Sequence, residues 1–254
     1  MGDLMVFAFS YQVQYRLQLW DRKECEMRRL PSSLDFRIQA LQENRYLSGL
    51  DDQILNYLAE HTRLIAYDAD ETIIHEGRAC HGLAIIESGR VKIFKDSSSG
   101  REMIFNVMEK GESFNEVPVF DKSENPVNVS AVLSTRIWLI EADALRKVVA
   151  DHPHACQKII INLAQNLRMM VGKVAELSFY NVTARLARLL RDLPESQLRG
   201  SGTSRLTQDD MAARIGTVRE VVARSLKELE KVGAIDIERG KITILNQEKL
   251  IDWE

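Results

Sequence analysis

Arg219, Glu220 and Arg224 stand at i, i+1 and i+5 in the run Val218 to Val232, where Val221, Val222, Leu226 and Leu229 recur at helical spacing. Near the N-terminal end of a helix, two guanidinium forks and a carboxylate can read base edges. Arginine pairs bidentately with guanine O6 and N7, and a carboxylate accepts from cytosine N4. On an ordinary exposed helix the same charges would be solvated or would pair with one another. Thr207, Gln208 and Thr217 carry donors suited to phosphate oxygens, contacts that hold register without reading sequence. Lys227 and Lys231 read as surface charges.

Other reactive side chains are sparse. Cys25, Cys80 and Cys156 are widely separated and include no CxxC pair, which argues against a disulfide framework, a zinc site or an iron–sulfur site. Cys80 or Cys156 would be redox-active only beside a cation that lowers the thiol pKa. His75, His81, His152 and His154 are candidate axial ligands for a haem, although a lone histidine is more often a loop or surface residue. There is neither a P-loop nor a nucleophile–base constellation, so no enzymatic activity is expected.

The elements that must position these residues follow from pattern. Thr207 caps a helix with Gln208, Asp209 and Asp210 in its first turn and Met211, Ala212 and Ile215 on its buried side. Gly216-Thr217 turns the chain into the second helix, and Gly233 stops it. Ile235 to Ile237 and Ile242 to Leu245, joined through Arg239-Gly240, form a small hairpin that completes a winged helix-turn-helix. Upstream, Asn181 caps an amphipathic helix containing Val182, Leu186, Leu189 and Leu190, and Pro194 to Ser204 reads as a loop.

Before that helix, Pro153 to Ser178 places Ile160, Leu163, Leu167, Met170, Val174 and Leu177 at alternating three- and four-residue steps, the seam of a helix that pairs with another helix. A single amphipathic helix on its own core is the alternative. Its position between a glycine-punctuated region and a helix pair favours a symmetric homodimer. From Thr62 to Ile140 the apolar period is two. Strands are predicted at Thr72 to Ile74, Leu83 to Ile86, Val91 to Phe94, Met103 to Val107, Val127 to Val132 and Arg136 to Ile140. Gly77, Gly82, Gly89, Gly100 and Gly111 mark the corners of an antiparallel barrel or roll. Asp96 to Gly100 reads as a hairpin loop, and Ala142 to Ala150 as a short helix. Ser33 to Asn44 is helical in pattern, and Ser48 is placed to cap a helix with Leu50, Ile54, Leu55, Leu58 and Ala59 on its apolar face.

The expected class is α+β, with 1–34 an extension of no assigned role, 35–152 a β-roll, 153–178 a long dimerisation helix and 179–254 the winged helix-turn-helix. A net charge of −3 over 254 residues argues against non-specific coating of nucleic acid but permits a local basic reader. Leu4 to Phe9 is short and follows Asp3, so neither a signal peptide nor a membrane span is expected; a soluble, cytoplasmic chain is.

The strings SGRVKIF, GESFNEVPVF, SFYNVTARLARLL and LTQDDMAARIGTVREVVARSLKELEKVGAIDI together resemble the Crp/Fnr superfamily of bacterial transcription factors, from about Leu47 to the end. The resemblance implies an effector-sensing β-roll, a long dimerisation helix and a winged helix on a palindromic double-stranded DNA site. Arg219, Glu220 and Arg224 would read a TGTGA-like half-site, and RNA polymerase would be a partner if the protein activates. An effector would sit between roll and long helix, near Asn115, Glu116, Val117, Asn125, Pro126, Val127, Met170 and Val171. Cyclic-nucleotide members carry Gly-Glu and Arg-Ser where this chain reads Asn115-Glu116 and Asn125-Pro126, and Thr-Ser where it reads Met170-Val171. Cyclic AMP is therefore not expected. The oxygen-sensing branch needs an N-terminal cysteine set, of which only Cys25 is present, so its iron–sulfur cluster is not expected either. The effector is left unidentified, with a haem-based gas sensor on His75 or His81, or a regulatory module of an enzyme system, as alternatives.

Overall fold

The computed structural model describes residues 29–44, 47–199, 206–251 and 253; Met1 to Arg28, including Cys25, lie outside them. Two compact units emerge. One runs up to Ile93 and resumes over Val107–Asn162, and the other is Phe94–Asn106 with Leu163–Glu254.

The first unit opens with β1 (Arg29–Leu30), α1 (Leu34–Glu43) and α2 (Asp52–Glu60), followed by β2 (Thr62–Tyr67) and β3 (Thr72–Ile74). Next come β4 (Gly82–Ser88), β5 (Arg90–Asp96), β6 (Glu102–Glu109), β7 (Ser113–Phe114), α3 (Glu116–Asp121), β8 (Asn128–Ala131), β9 (Thr135–Glu141) and α4 (Ala142–Asp151). Strands β1 to β9 form two sheets, in the orders β1-β2-β9-β4-β7 and β3-β8-β5-β6. Ile65, Ala84, Ile86, Phe114 and Ile137 of the first sheet meet Val91, Met108 and Val129 of the second in one buried cluster. Alternation along β9 sends Ile137 into that cluster and leaves Trp138 on the other face, where its ring lies edge-on to Phe36 of α1 at 5.2 Å. Gly82 is required by space, since a Cβ there would lie 1.9 Å from the Ile140 carbonyl oxygen on the neighbouring strand.

Local chemistry sets the helix starts. Ser33 caps α1 by accepting from Phe36 N at 3.2 Å. Ser48 does not cap α2, whose N-cap is Asp51; the chain turns over residues 47–49 before the helix begins. Sequence reasoning passed over β2, β7 and α3. In β2 both Leu64 and Ile65 are buried, so no alternation is visible, and β7 has only two residues.

The long helix α5 (Pro153–Phe179) crosses from the first unit into the second. The second unit continues with α6 (Val182–Asp192), α7 (Glu195–Arg199) inside the segment read as loop, α8 (Gln208–Ile215), α9 (Arg219–Lys231), β10 (Ile235–Glu238), β11 (Lys241–Ile244) and α10 (Gln247–Ile251). Leu186, Leu190, Leu198, Met211, Ile215, Val222, Leu226, Leu229, Ile242 and Leu250 form its buried core. The inward stripes of α6, α8 and α9 thus close on one another, with the β10–β11 hairpin alongside. No helix of the described residues is long and apolar enough to cross a membrane.

Candidate nucleic-acid interface

Thr207 and Asp210 form a reciprocal cap at the start of α8. The Thr207 hydroxyl accepts from Asp210 N at 3.1 Å and donates to Asp210 Oδ2 at 2.6 Å, while Thr207 N donates to the same carboxylate at 2.9 Å. Both donors of Thr207 are thereby used inside the helix cap. Gly216, in the left-handed conformation at φ 67°, ends α8 by donating to the Ala212 carbonyl. A Cβ at Gly216 would stand 3.2 Å from Leu177 Cδ2, so the turn lies close against the end of α5.

The turn delivers α9 with Val222, Ser225, Leu226 and Leu229 buried and Arg219, Glu220 and Arg224 exposed. Sequence reasoning brought these three to one exposed stretch of helix, and the structure places them there. Arg219 is not free-standing: Nη1 donates to Asp209 Oδ2 of α8 at 3.3 Å, with both side chains more than half exposed. Beneath this surface, Thr183 of α6 donates to Glu228 Oε2 at 2.9 Å. With its proton so used, Thr183 Oγ1 accepts from Ser225 at 2.9 Å, a buried bond that fixes the rotation of α9 against α6.

Arg185 was missed by sequence reasoning. It is buried, and its guanidinium donates to the carbonyls of Ile215 at 3.0 Å, Tyr180 at 2.9 Å and Leu177 at 3.5 Å. One cation thus satisfies carbonyls at the ends of α5 and α8, where the helix dipoles favour it. Only a buried arginine surrounded by such ends reveals the role; in sequence Arg185 looks like one more charge on an amphipathic helix.

Of the predicted seam residues, Ile160, Leu167, Val174 and Leu177 are exposed. Ile160, Leu167, Val171 and Val174 are each exposed by 61% or more, with Ala164 exposed between them. Leu163 and Met170 are half-buried instead. Val171 therefore belongs to the open strip.

The first unit holds a cavity of about 320 Å³ beside β3, the 75–81 loop and β9. Asn115 and Asn125 border it, as do His75 and His81, together with Arg78, which sequence reasoning passed over. Glu116, Val117, Pro126 and Val127 do not line it. The left-handed Asn115, at φ 76°, starts α3 so that Glu116 turns inward and Val117 turns out to solvent. Asn115 Nδ2 donates to the Gly82 carbonyl at 3.0 Å and lies 3.3 Å from Cys80 Sγ. Burial pushes the Cys80 thiol above its ordinary pKa. That is the opposite of what a redox-active thiolate needs. The wall is mixed, with Glu71, Arg78 and two asparagines beside Ile73, Ile74, Ile137 and Leu139. The described residues hold no cluster of three metal-ligating side chains, and the side chain of His154 lies outside them.

Comparison with known proteins bears on both units. The cyclic nucleotide-binding domain family matches residues 64–152, and the Crp-like helix-turn-helix domain family matches residues 184–253. The cAMP-activated global transcriptional regulator Vfr of Pseudomonas aeruginosa is 30% identical over 199 residues, covering 75% of this chain and 92% of that protein. The chain belongs to the Crp/Fnr family of transcription regulators. A CRP-like cAMP-activated global transcriptional regulator of Mycobacterium tuberculosis is 28% identical over 207 residues, 80% of this chain and 92% of the relative. In structure, the c-di-GMP responsive global regulator CLP of Xanthomonas campestris superposes with a TM-score of 0.65 at 23% identity, over 77% of this chain and 99% of that one. Crp/Fnr membership makes the winged unit a DNA-binding unit of a transcription regulator, a family of regulators rather than enzymes.

Proposed function

We propose that this Crp/Fnr regulator is a homodimer that reads a palindromic duplex through Arg219, Glu220 and Arg224. The observation that carries the reading is their joint exposure at the N-terminal end of α9, on a helix held from beneath by buried contacts. Two such helices, roughly 34 Å apart, would enter successive major grooves, with TGTGA-like half-sites. Gln208 and Thr217 contact phosphates; Thr207 acts through the cap it makes for α8. The open strip of α5 pairs with its copy, and Phe179–Asn181 acts as the hinge between the long helix and the winged domain. RNA polymerase is the further partner if the protein activates.

The β-roll cavity is the sensor, and its effector changes DNA affinity by binding the two arrangements unequally. Cyclic AMP is not that effector. Asn125, at the position where cyclic-nucleotide relatives present Arg-Ser, has its Nδ2 turned to the carbonyls of His75 and Ala79 and offers no charge to a phosphate.

Gel-shift titration of the full-length protein on a TGTGA palindrome tests the reading. Arg219→Ala and Arg224→Ala should each weaken binding by about tenfold or more, as expected for loss of a bidentate base contact. Unchanged binding by both variants would refute the assignment.

A further inference from the structure

The proposed hinge, Phe179–Asn181, is tied down by two arginines of α6. Helical bonding of α5 runs on past its last residue, with Tyr180 N donating to Glu176 O at 3.2 Å. Asn181 then caps α6, accepting from Ala184 N at 2.9 Å. Tyr180 and Asn181 alone separate the two helices, and both are bonded into them. Arg185, one turn into α6 and 8% exposed, donates to the carbonyls of Tyr180 at 2.9 Å and Leu177 at 3.5 Å. A turn further on, the guanidinium carbon of Arg188 lies 3.7 Å from the centre of the Tyr180 ring, a cation–π contact. Tyr180 is thus gripped at both its carbonyl and its ring. The reader turn is tied to the same place: Arg185 Nε donates to the Ile215 carbonyl at 3.0 Å, and Gly216 packs against Leu177. Phe179, by contrast, is 81% exposed.

A joint with free dihedral angles would let a winged domain swing on its long helix. Here carbonyl, ring and neighbouring turn are all held to α6, so the end of α5 and the reader helices move together until those contacts break. Stiffness of this kind has a consequence on DNA. One extra base pair between half-sites moves them about 3.4 Å apart and turns one roughly 35° about the duplex axis. A reader fixed to its long helix cannot follow that displacement. We infer that the clasp of Arg185 and Arg188 on Tyr180 sets the half-site spacing that the dimer accepts. Both arginines are then positioning residues for specificity, acting through the joint and not on the bases. The inference rests on the proposed reading of a palindrome by a homodimer.

Gel-shift titrations of the full-length protein on TGTGA palindromes, with the optimal spacer and with spacers one base pair longer and shorter, read the effect. Tyr180→Leu and Arg188→Met each remove the ring contact and leave the buried bonds of Arg185 in place. In both variants the preference for the optimal spacer over its neighbours should shrink about threefold or more, with little change in affinity for the optimal spacer itself. Tyr180→Phe keeps the ring and should keep the preference. An unchanged preference in Tyr180→Leu and Arg188→Met overturns the inference. So does an equal loss of affinity on every spacer, because the clasp then supports the fold and not the spacing. Chymotrypsin gives a reading without DNA. Cleavage after the exposed Phe179 tracks opening of the joint, and in the folded Arg188→Met protein it should be about threefold faster or more than in the unaltered protein. Equal rates would show that the ring contact does not hold the joint. Failure of the unaltered protein to bind any palindrome would refute the proposed function, and the chymotrypsin rates would still decide the clasp.

Discussion

Arg185 Nε donates to the main-chain oxygen of Ile215 at 3.0 Å, and through its Nη1 the same side chain reaches the carbonyl of Tyr180 at 2.9 Å. The end of the long helix and the end of the first reader helix are thereby joined by one buried cation. Replacing Arg185 with methionine leaves these carbonyls without their donor and should cost about 2–4 kcal/mol. Urea unfolding followed by far-ultraviolet circular dichroism measures the loss, and a change under about 0.5 kcal/mol would show that the bonds are replaceable by water.

Asp209 pairs with Arg219, and that pair must open for the arginine to make the proposed base contact. Both partners are largely exposed, so the pair is worth less than about 1 kcal/mol. Asp209→Asn should therefore tighten DNA binding by no more than about fivefold, far less than Arg219→Ala weakens it. Gel shifts at one fixed salt concentration compare the two, since affinity for duplex varies steeply with ionic strength.

If the proposed homodimer forms through the open strip of α5, that strip is where it is most easily broken. Leu167→Glu or Val171→Glu would place a carboxylate in the middle of a paired apolar seam, so each should yield a monomer in sedimentation equilibrium. Glutamate in place of the half-buried Leu163 would instead report chiefly as lost stability. A dimer unaffected by both exposed substitutions would locate the interface elsewhere.

Cys80 should be a slow thiol. Because burial, the largest influence, raises its pKa, the reactive thiolate is scarcer at a given pH than in a free cysteine. The rate of iodoacetamide alkylation should climb with pH along a curve displaced to higher pH than that of a small thiol. Mass spectrometry of the Cys80 peptide across pH 7 to about 10 reads this directly.

Asn162 is buried on α5 with neither side-chain oxygen nor nitrogen bonded to protein. An apolar residue of similar size removes that desolvation, so Asn162→Leu should stabilise the chain by about 1–2 kcal/mol in urea titration.

Much of the architecture can be read from pattern alone because its determinants are local. Thr207 followed three residues later by Asp210, glycine at 216 and 233, and the apolar spacing of α8 and α9 require no distant partner to make helix, turn and helix. Glycine-punctuated alternation likewise marks most of the roll. The three charges on α9 are legible for the same reason, since helical phase alone puts Arg219, Glu220 and Arg224 on the side away from Val222 and Leu226.

What the chain could not show locally is which distant groups become neighbours. β2 is covered on both faces, so its two-residue period is erased, and the half-burial of Leu163 and Met170 on α5 depends on packing as well as on spacing. Arg185 and Ile215 are thirty positions apart, and Arg78 shares a cavity with Asn125 only because strands from separate stretches are folded together. Spacing along a helix or strand is a property of the backbone and is written in order. A buried guanidinium or an orphaned amide acquires its meaning from the partners that tertiary folding supplies or withholds.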